Sequence, residues 1–494
     1  LAVSLWASQA EQTVLDTLRW SRLSALSTFH AEMEMRLDFY DGLQSSYVKD
    51  EMKGVFPNTY KLIRAETFPK MTSRIVQDTA QVYWQAPTRT LVDANGNELA
   101  PDSAPSKRWA DIVSRGMLDS ICREVNRTAR LFRTEFLWIR YDQNADMLNY
   151  QLVHPQSIYV VESEAHPGDI TRADLVVIPV VQREATAAVT SVDARQYWAL
   201  TPFDAVRFVG YIDSTGNVEV MKVLEGPLPT PQPLLGRIPI IAAHDANVRG
   251  RLFADLDGGV TLSNSIVDMN MTADLALTDL RHLIRRQAAG QLIWNSASKL
   301  PSNLVVSADT ILHNRDTSGS ITFASPGAQI NAVLDELKWL VKTLTSMERL
   351  SPGTFATERH ELSGYALMLE NLPLVRFTSE QQQHYGETFE RDLFEMSRLV
   401  LNAYSRSKLP DQVTQRVKFV SLEYPSDAAA EWAVDKEKLQ AGILSPIDLI
   451  MKDNPGMTRE EAQAKYEENK AFMPQQTART GLASRLLGGK GKQQ

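Results

Sequence analysis

Thirty consecutive residues, Val260 to Ala289, contain neither glycine nor proline and are bounded by Gly259 and Gly290. Read as one element, the run predicts a single helix about 45 Å long, at about 1.5 Å of rise per residue. Asp268, Asp274 and Asp279 fall in its body, while Arg281, Arg285 and Arg286 fill its last turns. That sign order suits the helix dipole. The plain alternative is an ordinary long core helix. Just upstream, Asp255-Leu256-Asp257-Gly258 begins like a calcium loop. It lacks the third carboxylate and the late Glu of an EF-hand, so it reads as a cap for the long helix.

Downstream of the run, the pattern is that of an insertion between two helices. Leu292-Ile293-Trp294, Asn303 to Val306 and Ile321 to Phe323 are short β-like pieces separated by polar turns. Then Ile330, Val333, Leu334, Leu337, Leu340, Val341, Leu344 and Met347 recur at three- and four-residue spacing, an amphipathic helix stopped by Ser351-Pro352-Gly353. A polar segment from Thr354 to Leu362 leads into a further helical stretch from Ser363 to near Arg406, perturbed around Pro373 and Gly386.

Ahead of the long run, the chain changes mode once. Helix is expected over residues 8 to 41, again between Asn58 and Tyr83 with an interruption at Pro69, and from Trp109 to Leu131. A turn at Asn95-Gly96 separates the last two. From Phe136 the composition turns to β, through Leu152, Tyr159 to Val161, Leu175 to Val181, Arg195 to Leu200, Val206 to Ile212 and Val218 to Val223. The four prolines between Gly226 and Pro233 are expected to end regular structure before Ile240-Ile241. After Pro410 come a short strand, Val417 to Leu422, and three short helices. Ser445-Pro446 and Thr458 to Glu461 carry helix-start signals. The expected fold class is α+β, mainly α.

At 494 residues the chain is long enough for several structural regions sharing buried interfaces. No run approaches the roughly 20 apolar residues of a membrane helix. The opening LAVSLWASQA ends like a cleavable leader but lacks a basic start and a long apolar middle, so no signal peptide is expected. Sixty acidic against 52 basic side chains leave a net charge of −8. That argues against tight binding of DNA over the whole surface, though a conduit that lets a polyanion slide is compatible with it.

Catalytic signals are sparse. Neither a G-x-x-x-x-G-K-S/T phosphate loop nor a G-x-G-x-x-G dinucleotide loop is present. His360-Glu361 lacks the second His of a zinc helix, and no G-x-S-x-G elbow occurs. Asp204, Glu219 and Lys222 are a weak nuclease-like set, because a three-residue spacing on a regular strand puts Glu219 and Lys222 on opposite faces. The single cysteine, Cys122, reads as packing. The expectation is a non-enzyme with no cofactor and no metal.

The order of elements, and short sequences along it, resemble the portal family of tailed bacteriophages. Leu37-Asp38-Phe39-Tyr40-Asp41-Gly42, with Asn58 after it, is similar to the start common among portals. Val153-His154-Pro155-Gln156-Ser157-Ile158-Tyr159 resembles the family's Pro before an aromatic strand, and Leu235-Gly236-Arg237-Ile238-Pro239-Ile240-Ile241 its G-x-I-P-I strand. Leu362-Ser363-Gly364-Tyr365-Ala366-Leu367 is similar to a recurrent S-G-x-A-L. Ala441-Gly442-Ile443-Leu444-Ser445, Asn454-Pro455 and Glu460-Glu461-Ala462 resemble a crown pattern.

The resemblance implies a wing at residues 1–258, a first stem helix at 259–290, a clip at 291–327 and a second stem helix at 328–350. It further implies a tunnel loop at 351–362, a long wing helix at 363–409, a crown at 410–474 and a basic flexible tail at 475–494. By that likeness about twelve copies close into a head-to-tail ring at the capsid vertex, a channel for packaging and ejecting viral double-stranded DNA without sequence preference. The subunits would be made in the host cytoplasm and end in the virion. Glu358, Arg359, His360 and Glu361 would face the DNA, and Arg281, Arg285, Arg286, Lys338 and Lys342 would form a basic band. Trp294 and Arg315 would suit the clip's partners, the terminase motor and then neck or tail adaptors, while capsid and scaffold proteins meet the ring elsewhere. Arg479, Arg485, Lys490 and Lys492, a tail without acids, would touch packaged DNA. The alternatives are another phage neck or connector ring protein and a metal-dependent DNA-processing enzyme.

Overall fold

The computed structural model describes residues 24–55, 70–180, 195–212, 218–229, 234, 236–245, 251–254, 256–257, 260–261, 264–289, 291–295, 320–324, 330–351, 364–422, 428–454 and 457–472. The fold is mixed, with helices and several sheets. It divides into two units, residues 1–359 with 371–423, and residues 360–370 with 424–494.

The first unit is organised around one strand. Phe136-Leu137-Trp138-Ile139 in β2 (Thr134–Asp142) is buried without interruption. A run apolar at every position is what a strand needs when both of its faces are covered. β2 is the middle strand of an antiparallel sheet, between β3 (Met147–Val153) and β9 (Ile240–His244). Phe136 and Trp138 face one core together with Val153 and Ile240, while Leu137 and Ile139 face another with Leu148 and Ile241. Alternation along a strand therefore makes this small sheet the wall between two cores.

The first core is closed by α1 (Ser24–Asp41), through Phe29 and Met33, and by a five-stranded antiparallel sheet. That sheet runs in the order β4 (Tyr159–Val161), β5 (Leu175–Pro179), β6 (Arg195–Leu200), β7 (Asp204–Ile212) and β8 (Val218–Pro229). Strand β8 continues past Gly226 through Pro227 to Pro229, where the prolines were expected to end it. It tolerates them because it lies at the sheet edge, its register slipping at several points, so a missing N–H donor breaks no second ladder.

The second core lies under α4 (Ala104–Arg115), α5 (Leu118–Phe132) and α9 (Phe389–Tyr404). The single helix expected around Trp109 to Leu131 is two helices. Gly116 packs so closely that a Cβ there would meet the Ile112 carbonyl at 2.7 Å and the Tyr150 ring at 3.2 Å. Met117 then takes a left-handed φ of 50°. The stretch from Ser363 is likewise two helices, α8 (Gly364–Glu387), which carries Pro373 inside it, and α9, with Thr388 between them. Strand β1 (Thr88–Val92) pairs with β14 (Thr414–Lys418) at the border of this core. Cys122 is fully buried there, and burial pushes its thiol well above the ordinary range.

The remaining elements of this unit are α2 (Ser45–Val55), α3 (Met71–Thr79), a two-residue ladder of β10 (Leu256–Asp257) with β11 (Val260–Thr261), and a helix pair near the middle of the chain. In the second unit, α10 (Ala428–Gln440), α11 (Pro446–Asp453) and α12 (Arg459–Phe472) succeed one another. Their start signals form as expected. Ser445 accepts from the Asp448 N–H while the Asp448 carboxylate accepts from Ser445 N–H, and Thr458 and Glu461 make the same reciprocal pair. Lys452 reaches back from α11 to Asp435 of α10 at 2.7 Å.

Candidate functional site

The long run of the sequence folds as α6 (Ser265–Ala289), 25 residues and about 37 Å. It starts five residues later than expected because Val260-Thr261 is taken up in the β10–β11 ladder. Asn264 caps it in place of Asp255-Leu256-Asp257-Gly258: its Oδ1 accepts from Ile266 N–H at 3.0 Å, and its Nδ2 donates to the Leu131 carbonyl at 3.1 Å. One residue beyond its end the chain enters β12 (Gln291–Asn295), which pairs antiparallel with β13 (Ser320–Ala324), and it returns along α7 (Ile330–Met347).

Ser265, at the start of α6, donates to Glu348, just past the end of α7, so the two helices run antiparallel. Ile266, Val267, Ala273, Leu280, Leu340 and Leu344 are buried. Ile284, Leu334, Trp339 and Met347 are exposed, Trp339 at 62% beside the buried Leu340. The pair is a helical arm, packed at its root, with the β12–β13 hairpin at its far end.

The root is held by polar groups taken out of water. Arg130 of α5 donates to Asp245 at 2.6 Å, to Glu348, and through Nε to the Thr79 hydroxyl at 3.1 Å. Arg133, which ends α5 with a left-handed φ of 66°, also pairs with Asp245. Gln381 of α8 donates to the Asp245 carbonyl at 2.6 Å, and the Phe377 ring lies 5.1 Å from the Arg130 guanidinium. Two arginines thus meet two carboxylates, and the buried charges balance. A turn farther along α6, Asn270 accepts from both the N–H and the hydroxyl of Thr72 and donates to Asp274 at 3.1 Å. Val48 and Met52 of α2 pack with Met271 and Leu275. Helix α7 ends in a six-to-one bond from Leu350 N–H to the Thr345 carbonyl with Arg349 left-handed, the geometry that directs the chain away from a helix end.

Of the residues expected to carry function, Arg281, Arg285 and Arg286 lie on α6, and Arg281 is exposed. Lys338 and Lys342 are exposed on α7, Lys338 with Asp335 at 3.8 Å. Trp294 is on β12, opposite Ile321. Arg315, the loop residues Glu358, Arg359, His360 and Glu361, and the tail residues Arg479, Arg485, Lys490 and Lys492 lie outside the described residues.

The nuclease-like set is rearranged by the sheet. A register shift sets Glu219 opposite Tyr211 and Lys222 opposite Val209, so these two positions share a face, contrary to the expectation from spacing alone. Asp204 sits opposite Pro229, seven residues along β7 from Tyr211, or about 23 Å away. One metal ion cannot bridge that distance. Among the described residues no group of three or more His, Cys, Asp or Glu is placed to hold a metal, and no helix is long and apolar enough to cross a membrane. Sequence reasoning missed the Arg130 node entirely, since its partners stand 115 and 218 residues away along the chain. No known protein-family model and no curated protein matches this chain.

Proposed function

We propose that this chain is the subunit of a tailed-phage portal: a ring at the capsid vertex that forms the channel for double-stranded DNA during packaging and ejection. The observation that carries the reading is the antiparallel pair α6–α7 with a β-hairpin inserted between its helices, rooted by buried charge in an α/β body. In this reading α6 and α7 are the stem, β12–β13 belongs to the clip that meets the terminase motor and later the neck or tail adaptors, and the body is the wing. Exposed apolar side chains on the arm, Leu334 and Trp339 among them, become contacts between neighbouring copies of a closed ring. Residues 358–361 are the proposed DNA-facing loop, and capsid and scaffold proteins are the proposed outer partners.

Native mass spectrometry of the full chain, with negative-stain images of the same sample, tests the reading. Closed rings of about twelve copies are expected. A monomer or dimer across several salt concentrations sinks it.

A further inference from the structure

The Asn95-Gly96 turn belongs neither to the arm nor to its root. It turns the chain back after β1, so that Glu98 bridges to Val92 and Leu99 N–H donates to the Leu91 carbonyl at 2.8 Å. The loop is tied through Asp93. Its carbonyl accepts from Gly96 N–H at 3.1 Å, its carboxylate accepts from the N–H groups of Asn95 at 2.8 Å and Asn97 at 2.9 Å, and its own N–H donates to the Asn97 carbonyl at 2.9 Å.

Three properties set this turn apart. Asn95 is the only asparagine of the chain that is followed by glycine. Every other asparagine precedes a residue whose Cβ crowds the approach of the next backbone nitrogen to the amide carbon, and Asn126, Asn264, Asn270 and Asn402 are buried besides. Asn95 and Gly96 are both exposed, so water reaches the amide. The space above the turn is open as well: Gly96 holds a φ of +86°, and a Cβ built on it would meet nothing within 4 Å.

We propose that Asn95 is a site of spontaneous covalent modification, at which the side-chain amide closes on the Gly96 backbone and hydrolyses to aspartate and isoaspartate. The Gly96 N–H bond to Asp93 opens first, a small step for exposed bonds at a loop tip. The Gly96 nitrogen then gives its proton to hydroxide and bonds to Asn95 Cγ, while the Cγ–Nδ2 bond breaks and Nδ2 leaves as ammonia, protonated by water. The cyclic imide takes up one water. Opening at the side-chain carbonyl restores an ordinary backbone with aspartate at 95, whereas opening at the main-chain carbonyl carries the backbone through the side chain as isoaspartate. Either product adds a negative charge beside Asp93, and isoaspartate also lengthens the loop by one backbone carbon, which misaligns the N–H groups that Asp93 collects. The inference stands on the turn alone and holds whether or not the chain forms rings.

The test is peptide mapping by mass spectrometry after the folded full chain has stood at mildly alkaline pH, beside a urea-unfolded sample and the Asn95→Gln variant. In the folded chain the peptide that carries Asn95 is expected to gain about 1 Da and to split into two chromatographic species, one of them labelled by an isoaspartate methyltransferase. Its rate should rise with pH, because the attacking nitrogen must first lose a proton. Asn95→Gln should abolish the gain in that peptide. Conversion in urea but not in the folded chain overturns the proposal, since the bonds to Asp93 then lock the turn shut. Faster conversion of any other asparagine in the folded chain overturns it too.

Discussion

Arg130 is the residue whose removal should be felt most widely. It is 7% exposed and bonds to side chains from three other parts of the chain, Thr79, Asp245 and Glu348. Arg130→Met leaves both carboxylates buried with only Arg133 to answer them, which costs about 3–5 kcal/mol. Arg416→Met at the exposed Arg416–Glu98 pair should cost less than about 1 kcal/mol. Chemical denaturation of both variants makes the comparison, and equal losses would show that the node is not what holds the root. His30 gives a pH signature. Its Nε2 meets the Ile158 carbonyl at 3.0 Å, and burial lowers its pKa from 6.5 to about 4. The unfolded chain therefore takes up a proton between those values while the fold refuses it, so this group's contribution to stability falls as pH drops through that window, by up to about 3 kcal/mol. His244, also lowered to about 4 by burial, acts in the same direction. His154 acts oppositely: burial lowers its pKa, but Glu135 outweighs that and raises it. Thermal melts from pH 7 to 4.5 should show a shallower loss for His30→Gln than for the parent chain. Identical slopes would mean that His30 is protonated in the fold.

Among the elements, those set by neighbouring residues were legible and those set by distant ones were not. The spacing of Leu340 and Leu344 marked α7, and the Ser445 and Thr458 signals marked two helix starts, because periodicity and capping are local chemistry. The break between α4 and α5 depends on the Tyr150 ring across the sheet, and the late start of α6 depends on a strand pairing. Neither leaves a trace in a short window. Of the site, the arm and its hairpin could be read from the sequence, whereas the node at its root needed side chains brought together from remote segments. The α4–α5 break also yields a prediction. Met117 is 68% exposed and holds a φ of 50°, which costs a residue with a Cβ about 1 kcal/mol or more. Met117→Gly relieves that strain at the price of a more flexible unfolded chain, so a net gain of about 0.5–1 kcal/mol is expected. Denaturant midpoints measure it, and a destabilised variant would show that the Met117 side chain holds α4 and α5 in place.

For the whole molecule, two cores sharing β2 explain why a chain of 494 residues forms one large first unit rather than separate domains: each core lacks a wall without the other. The charge of that molecule bears on the proposed channel. An acidic total of −8 leaves little attraction for duplex DNA, and an exposed lysine of the proposed basic band, Lys338, already has Asp335 beside it. A channel that grips many phosphates at once would stall the DNA it must pass, since each neutralised phosphate adds to the free energy of release. The proposed ring should therefore bind a 30-base-pair duplex weakly, with an affinity that falls only gently with salt, at a log–log slope of about −1 to −3. Fluorescence anisotropy between 50 and 300 mM salt measures that slope, about −0.9 for each phosphate contacted. A value steeper than about −5 would mean a surface built to clamp the backbone, and a ring that clamps is a poor conduit.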